Sequence, residues 1–207
     1  MAATQAASNM AAANHPTLFV GHSFVRRASQ HASTSNQSNL NLPLATHKVN
    51  FQFRGGAHIS DIMHLFRQAG NFNPSIVVID IGTNDLFNSS SPSHSLAQQL
   101  FNTARHMVQQ FGVRHVIILE VLPRTTWGRF GAPQSFVSRV FRFNSMVKSL
   151  VSQHKLSTPV SFWSHKGMAP NMSKFISDWC HLNTLGMIKY LKSVRRAILF
   201  QTRALRR

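Results

Sequence analysis

Ile76-Val-Val-Ile-Asp-Ile-Gly-Thr-Asn-Asp85 is the stretch that decides how this chain folds. Its first six residues are apolar except for Asp80, so a strand here is buried on both faces. That is the pattern of a parallel sheet covered by helices, not of a sheet with one solvated face. Toward the N-terminus, Val49, Phe51 and Phe53 alternate with polar neighbours before Gly55-Gly56, and Pro16-Thr-Leu-Phe-Val-Gly21 is a short apolar run closed by glycine. Toward the C-terminus, His115 to Val121 is a further apolar run and Thr158 to Trp163 a weaker one. Helical spacing fills the gaps. Ile59, Ile62, Met63 and Phe66 lead up to Gly70, and Leu100, Ala104, Met107, Val108 and Phe111 follow a start near Ser93 or Ser95. Phe136, Val140, Phe143, Val147 and Leu150 mark another helix, and Leu185, Ile188, Leu191, Val194 and Ile198 a last one with Thr184 as its N-cap. Residues 28–46, rich in Ser, Asn, Gln and Thr, read as a loop or a frayed helix.

Strands alternating with helices predict an α/β fold: a three-layer αβα sandwich on a five-stranded parallel sheet of flavodoxin-like order 2-1-3-4-5. The expected division is an Ala-rich flexible N-terminus over 1–15, one domain over 16–202 and a basic tail over 203–207.

Composition sets bounds on function. With 43% hydrophobic residues in 207, the chain can bury a sizeable core. A single cysteine, Cys180, excludes an intramolecular disulfide and a cysteine-built zinc site. No apolar run approaches the roughly 18 residues of a membrane span. Met1 to Asn14 lacks the basic start and long apolar stretch of a secretory signal, so an intracellular, non-secreted protein is expected. The net charge of +17 reflects only five acids against 22 Lys+Arg. Most of those bases follow residue 94, where Glu120 and Asp178 are the only acids. The terminal run Lys189, Lys192, Arg195, Arg196, Arg203, Arg206 and Arg207 is either a solvated helix face or a phosphate-binding surface.

In a sheet of this order, ligands bind beyond the carboxyl ends of the strands where the order reverses. Three segments arrive there: Gly21-His22-Ser23, Gly55-Gly56 and Gly82-Thr83-Asn84-Asp85. A hydroxyl, a bare glycine backbone and a side-chain amide then share one crevice, the set that acyl transfer needs for attack and for holding an oxyanion. Asp178 and His181, three apart just before the last helix, supply a base and a group to orient it. Each residue also has a plainer role. Ser23 could cap a helix, Asn84 could form an Asx-turn, Gly56 could be a turn glycine, and Asp178 with His181 could cap the final helix. His58 and His64 lack a carboxylate or thiol to complete a metal site, and Cys180 lacks a partner of its own. Trp127, Arg129 and Phe130 could form a lip over the crevice, or simply pack in their loop.

Phe19-Val-Gly-His-Ser-Phe24, Gly55-Gly56, Ile81-Gly-Thr-Asn-Asp85 and Asp178-x-x-His181-Leu-Asn-x-x-Gly186 resemble, in order and spacing, the blocks of the SGNH or GDSL-like hydrolases. The resemblance spans roughly residues 17–200 and implies a serine esterase that hydrolyses a small acyl ester, such as an acetyl ester, through an acyl-enzyme. It makes Ser23 the nucleophile and its own N–H, the Gly56 N–H and the Asn84 side chain the oxyanion donors. His181 becomes the general base, oriented by Asp178, and neither metal nor cofactor is required. The family's first block is usually Gly-Asp-Ser, its Asp bracing the nucleophile loop, whereas this chain has His22. The alternative is a catalytically weak SGNH-like binding module, akin to those in some retroelement proteins, that holds nucleic acid through its basic C-terminal half.

Overall fold

The computed structural model describes residues 15–88, 90–124, 134–178 and 180–205. The Ala-rich lead, the lip residues Trp127, Arg129 and Phe130, and the terminal Arg206 and Arg207 lie outside them.

Five strands form the sheet: β1 (His15–Gly21), β2 (His47–Phe53), β3 (Ile76–Asp80), β4 (His115–Leu119) and β5 (Val160–Trp163). All pairs are parallel and the order is β2-β1-β3-β4-β5, as the sequence predicts. Pleating sends alternate residues to opposite faces. Phe19, Ile76, Val78, Ile117 and Leu119 therefore pack on one side, and Leu18, Val20, Val77, Ile79, Val116 and Ile118 on the other. The first face is covered by α1 (Ser23–Thr34), α6 (Met172–Phe175) and α7 (Thr184–Ala204). The second is covered by α2 (Ile62–Gln68), α4 (Ser93–Phe111) and α5 (Gln134–Gln153). Two cores flanking one sheet make the three layers.

The strand ends are level. Gly21 pairs with Phe53 on one side and with Asp80 on the other. Gly21 has no substitute, because a Cβ there would lie 2.5 Å from the Asp80 carbonyl oxygen and 2.3 Å from a Val25 methyl. This close approach lets β1 turn directly into α1 beside β3.

Three local readings need correction. Residues 28–34 are helical, since α1 runs to Thr34 with Phe24, Val25, Ala28 and Ala32 buried at helical spacing; its polar exposed face hides that period. The α7 N-cap is Asn183, not Thr184: Asn183 Oδ1 accepts from the Gly186 N–H at 2.8 Å. The loop after β3 begins with a short helix, α3 (Thr83–Asn88), which places Asn84 in its first turn.

Candidate active site

Ser23 is the first residue of α1, so its N–H belongs to a helical turn with no intrahelical carbonyl to bond. Its Oγ lies 3.2 Å from Nε2 of His181, and His181 Nδ1 lies 2.9 Å from Asp178 Oδ2. The three groups expected to act together are therefore in one chain of contacts. Asp178 also accepts from the backbone N–H of His181 at 2.6 Å and of Cys180 at 3.3 Å, so a tight turn and not a rigid element fixes the pair. Partial burial pushes the Asp178 carboxyl up. Its bonds to the His181 side chain and backbone outweigh that and bring it below its ordinary value. Arg27 approaches the same oxygen at 3.6 Å, but both side chains are well exposed and the pair is weak.

Asn84 and the glycine turn are tied together. Asn84 Nδ2 donates to the carbonyl of Ala57, the neighbour of Gly56, at 2.9 Å. Gly56 holds a φ of +73°, which favours glycine. The Arg54 N–H bonds the Gly21 carbonyl at 3.2 Å, which anchors this turn to the end of β1. Asp85 accepts both of its 3.2 Å contacts from the Ile59 N–H, and His58 Nδ1 lies 3.4 Å from it. His58 is thus part of the loop scaffold.

The His22 departure has a structural answer in residues the sequence reading passed over. His22 is buried, and its Nδ1 accepts from the Phe24 N–H at 3.3 Å, capping α1. That bond places the ring proton on Nε2, which faces Asp80 Oδ1 at 3.5 Å. Asp80 also accepts from the Tyr190 hydroxyl. Burial raises the Asp80 carboxyl, but the neighbouring His22 and the Tyr190 hydrogen bond more than offset this and hold it below its ordinary value. Burial together with Asp80 drives the Tyr190 hydroxyl well up, so it stays protonated and donates. His165 packs against Tyr190 with the rings tilted by 40° and their centroids 5.0 Å apart, and burial lowers its pKa to about 4. The signal that could have found this cluster is Asp80 itself, because a carboxylate in an otherwise apolar, doubly buried strand needs a partner.

Arg124, beyond β4, was also missed. Its NH2 donates to Asn84 Oδ1 at 2.9 Å, and its guanidinium lies 5.0 Å from the Phe87 ring centroid and 5.8 Å from that of Phe136. Burial raises the Cys180 thiol, which leaves it a poor nucleophile beside His181. Among the described residues no group of three or more His, Cys, Asp or Glu side chains is placed to hold a metal. No helix is long and apolar enough to cross a membrane, among the described residues. A cleft of about 860 Å³ lined by His94, Gln98, Asn102 and His106 contains none of these site residues.

Known proteins resemble this chain in family and in fold. The profile of the family described as GDSL-like Lipase/Acylhydrolase matches residues 7–193. A GDSL-like lipase from Bacteroides thetaiotaomicron superposes with a TM-score of 0.68 at 14% identity, covering 90% of this chain and 88% of that one. An acetylxylan esterase from Geobacillus stearothermophilus superposes with a TM-score of 0.63 at 12% identity, covering 90% and 94%. No curated protein sequence matches the chain. At these identities the structural likeness establishes the fold alone.

Proposed function

This chain belongs to the GDSL-like lipase/acylhydrolase family, hydrolases acting on ester bonds, and from that membership we propose that Ser23, His181 and Asp178 hydrolyse a small acyl ester through an acyl-enzyme. The observation that carries this reading is the run of contacts from Ser23 Oγ through the His181 ring to Asp178, at 3.2 and 2.9 Å. In the first step Ser23 Oγ attacks the ester carbonyl while His181 Nε2 takes its proton. Asp178, bonded to Nδ1, keeps Nε2 free to accept and stabilises the imidazolium that forms. The carbonyl oxygen becomes an oxyanion held by the Ser23 and Gly56 N–H groups and by Asn84 Nδ2, whose second hydrogen is free after its bond to Ala57. Collapse breaks the ester C–O bond, and His181 returns the proton to the departing alkoxide. Water then attacks the acyl-serine with His181 again as base, releasing the acid and restoring Ser23.

His22 is compatible with this scheme, because Asp80 supplies from β3 the carboxylate that the family's first block carries one residue before the serine. The substrate class we propose is an ester of a small acyl group, acetyl among them, as in the acetylxylan esterase whose fold this chain shares. The test is labelling with a fluorophosphonate probe together with hydrolysis of p-nitrophenyl acetate. Wild type should label and turn over while Ser23→Ala does neither; equal reactivity of the two proteins overturns the assignment.

A further inference from the structure

We propose that the groove between α7 and the loop after β5 binds the backbone of single-stranded nucleic acid. This surface is separate from the ester site and does not rest on it. The groove encloses about 400 Å³ and is lined by Trp163, Lys166, Lys189, Lys192, Ser193 and Arg196. Four cations therefore share one concavity with no acid in its lining.

Among the described residues no acid side chain is left to neutralise them. All five acids lie among the described residues and each is committed elsewhere. Asp61 pairs with Arg54, Asp80 faces His22 and Tyr190, and Asp85 holds the Ile59 N–H. Glu120 accepts from the His165 N–H at 2.7 Å, and Asp178 serves His181. The positive charge of the groove is thus left for an external anion.

The layout fits an extended polyanion better than a single phosphate. At about 100° per residue, Lys189, Lys192, Arg196 and Arg203 fall within roughly one sixth of the α7 circumference. From Lys189 to Arg203 the helix rises about 21 Å, the reach of a few nucleotides. Phe200 lies on the same face, 61% exposed, with its ring 6.1 Å from that of Trp163. Trp163 is itself held by a bond from its ring nitrogen to Ser193 Oγ at 3.0 Å. A row of cations beside an exposed aromatic is what single strands use, phosphates tracking the charge and bases stacking on the ring. A long row of cations beside an aromatic suits a linear chain of phosphates and bases better than a single lipid head group.

The experiment is fluorescence anisotropy of a labelled thymidylate dodecamer titrated with the full chain at several salt concentrations. Each neutralised phosphate contributes about −0.7 to the slope of log affinity against log salt for single strands, so four contacts give a slope near −3. Lys166→Gln/Lys192→Gln/Arg196→Gln should lower the magnitude of that slope by about two. Phe200→Ala should weaken binding about tenfold and leave the slope unchanged. Each single Gln variant, checked by circular dichroism, covers the case in which the triple variant fails to fold, and each should lower the slope by about 0.7. Ser23→Ala should bind as wild type does, whatever its effect on ester hydrolysis. A flat salt dependence, folded variants that bind like wild type, or binding to phosphatidylserine vesicles with none to the oligonucleotide, overturns the proposal.

Discussion

Arg124 holds Asn84 by its acceptor end: the guanidinium NH2 donates to Asn84 Oδ1 at 2.9 Å. A guanidinium only donates, so the amide is fixed with Oδ1 toward Arg124 and Nδ2 toward the Ala57 carbonyl and the crevice. The Phe87 and Phe136 rings beneath Arg124 keep it there. In the proposed mechanism Arg124 is a positioning residue that acts through Asn84 as an oxyanion donor.

Asn84→Ala is therefore expected to lower kcat by about 10²- to 10³-fold with little change in KM. Arg124→Met should lower kcat by about tenfold on its own and by much less in the Asn84→Ala background, because both act on one hydrogen bond. A double-mutant cycle on p-nitrophenyl acetate hydrolysis measures this. Fully additive losses would show that Arg124 has no action through Asn84.

The His22–Asp80 pair reverses the simplest expectation for this loop. His22→Asp restores the usual family residue, yet it removes the Nε2 contact to Asp80 Oδ1 at 3.5 Å and puts a shorter carboxylate into the same buried pocket, within a few ångströms of Asp80. Two buried carboxylates at that range cannot both ionise, so the variant should melt at lower temperature and lose activity. His22→Asp/Asp80→Asn removes the clash and should recover much of the loss. Thermal denaturation of the three proteins is the check, and a stable, active His22→Asp single variant would contradict it.

Stability should fall between pH 6.5 and 4. Burial lowers the pKa of His165 to about 4, and that of His115 likewise to about 4. In the unfolded chain each binds its proton near pH 6.5, so between those values the unfolded state holds more protons. The stabilisation is complete above pH 6.5 and is lost as pH drops to about 4, by about 3 kcal/mol for His165 alone. Asp80 extends the loss to lower pH. Its depressed carboxyl stabilises the fold above about pH 4 and ceases to as pH falls through its folded value. Urea titrations across this range should show the slope, and His165→Gln should flatten its upper part.

Asp178→Asn should preserve the turn while costing about 10⁴-fold in kcat, since an amide neither holds the imidazole in the right tautomer nor stabilises the imidazolium as a carboxylate does. Cys180→Ser should leave activity unchanged, because the raised thiol takes no part in the chemistry. Steady-state kinetics of both variants separates the two residues despite their being two positions apart. A Cys180→Ser enzyme that loses turnover would place the thiol in the mechanism.

The fold was legible because it is written in periods. Apolar residues at every position of Ile76–Ile79 require cover on both faces, and the helical repeats between strands supply it. The candidate site was legible in part, because the proposed nucleophile, base and orienting acid stand in short segments at strand and helix ends, where any such sheet gathers them. Ser23, Asp178 and His181, 158 residues apart from first to last, meet for that reason. Residues 28–34 read as loop or frayed helix because the exposed face of α1 is polar enough to hide its helical period.

What sequence alone determined is the class of chain: its layers, its strand order and the residue types brought to one edge of the sheet, all consequences of local pattern and chain direction. Tertiary structure alone decided which side chains face each other there. Asp80 could be read only as an oddity in an apolar strand until β3 lay level with Gly21 and brought it to His22. Arg124 was one base among 22 until the β4 loop set it against Asn84. Hydrogen bonds act over about 3 Å, and which partners come within that reach depends on register and packing, which no single segment of the chain contains.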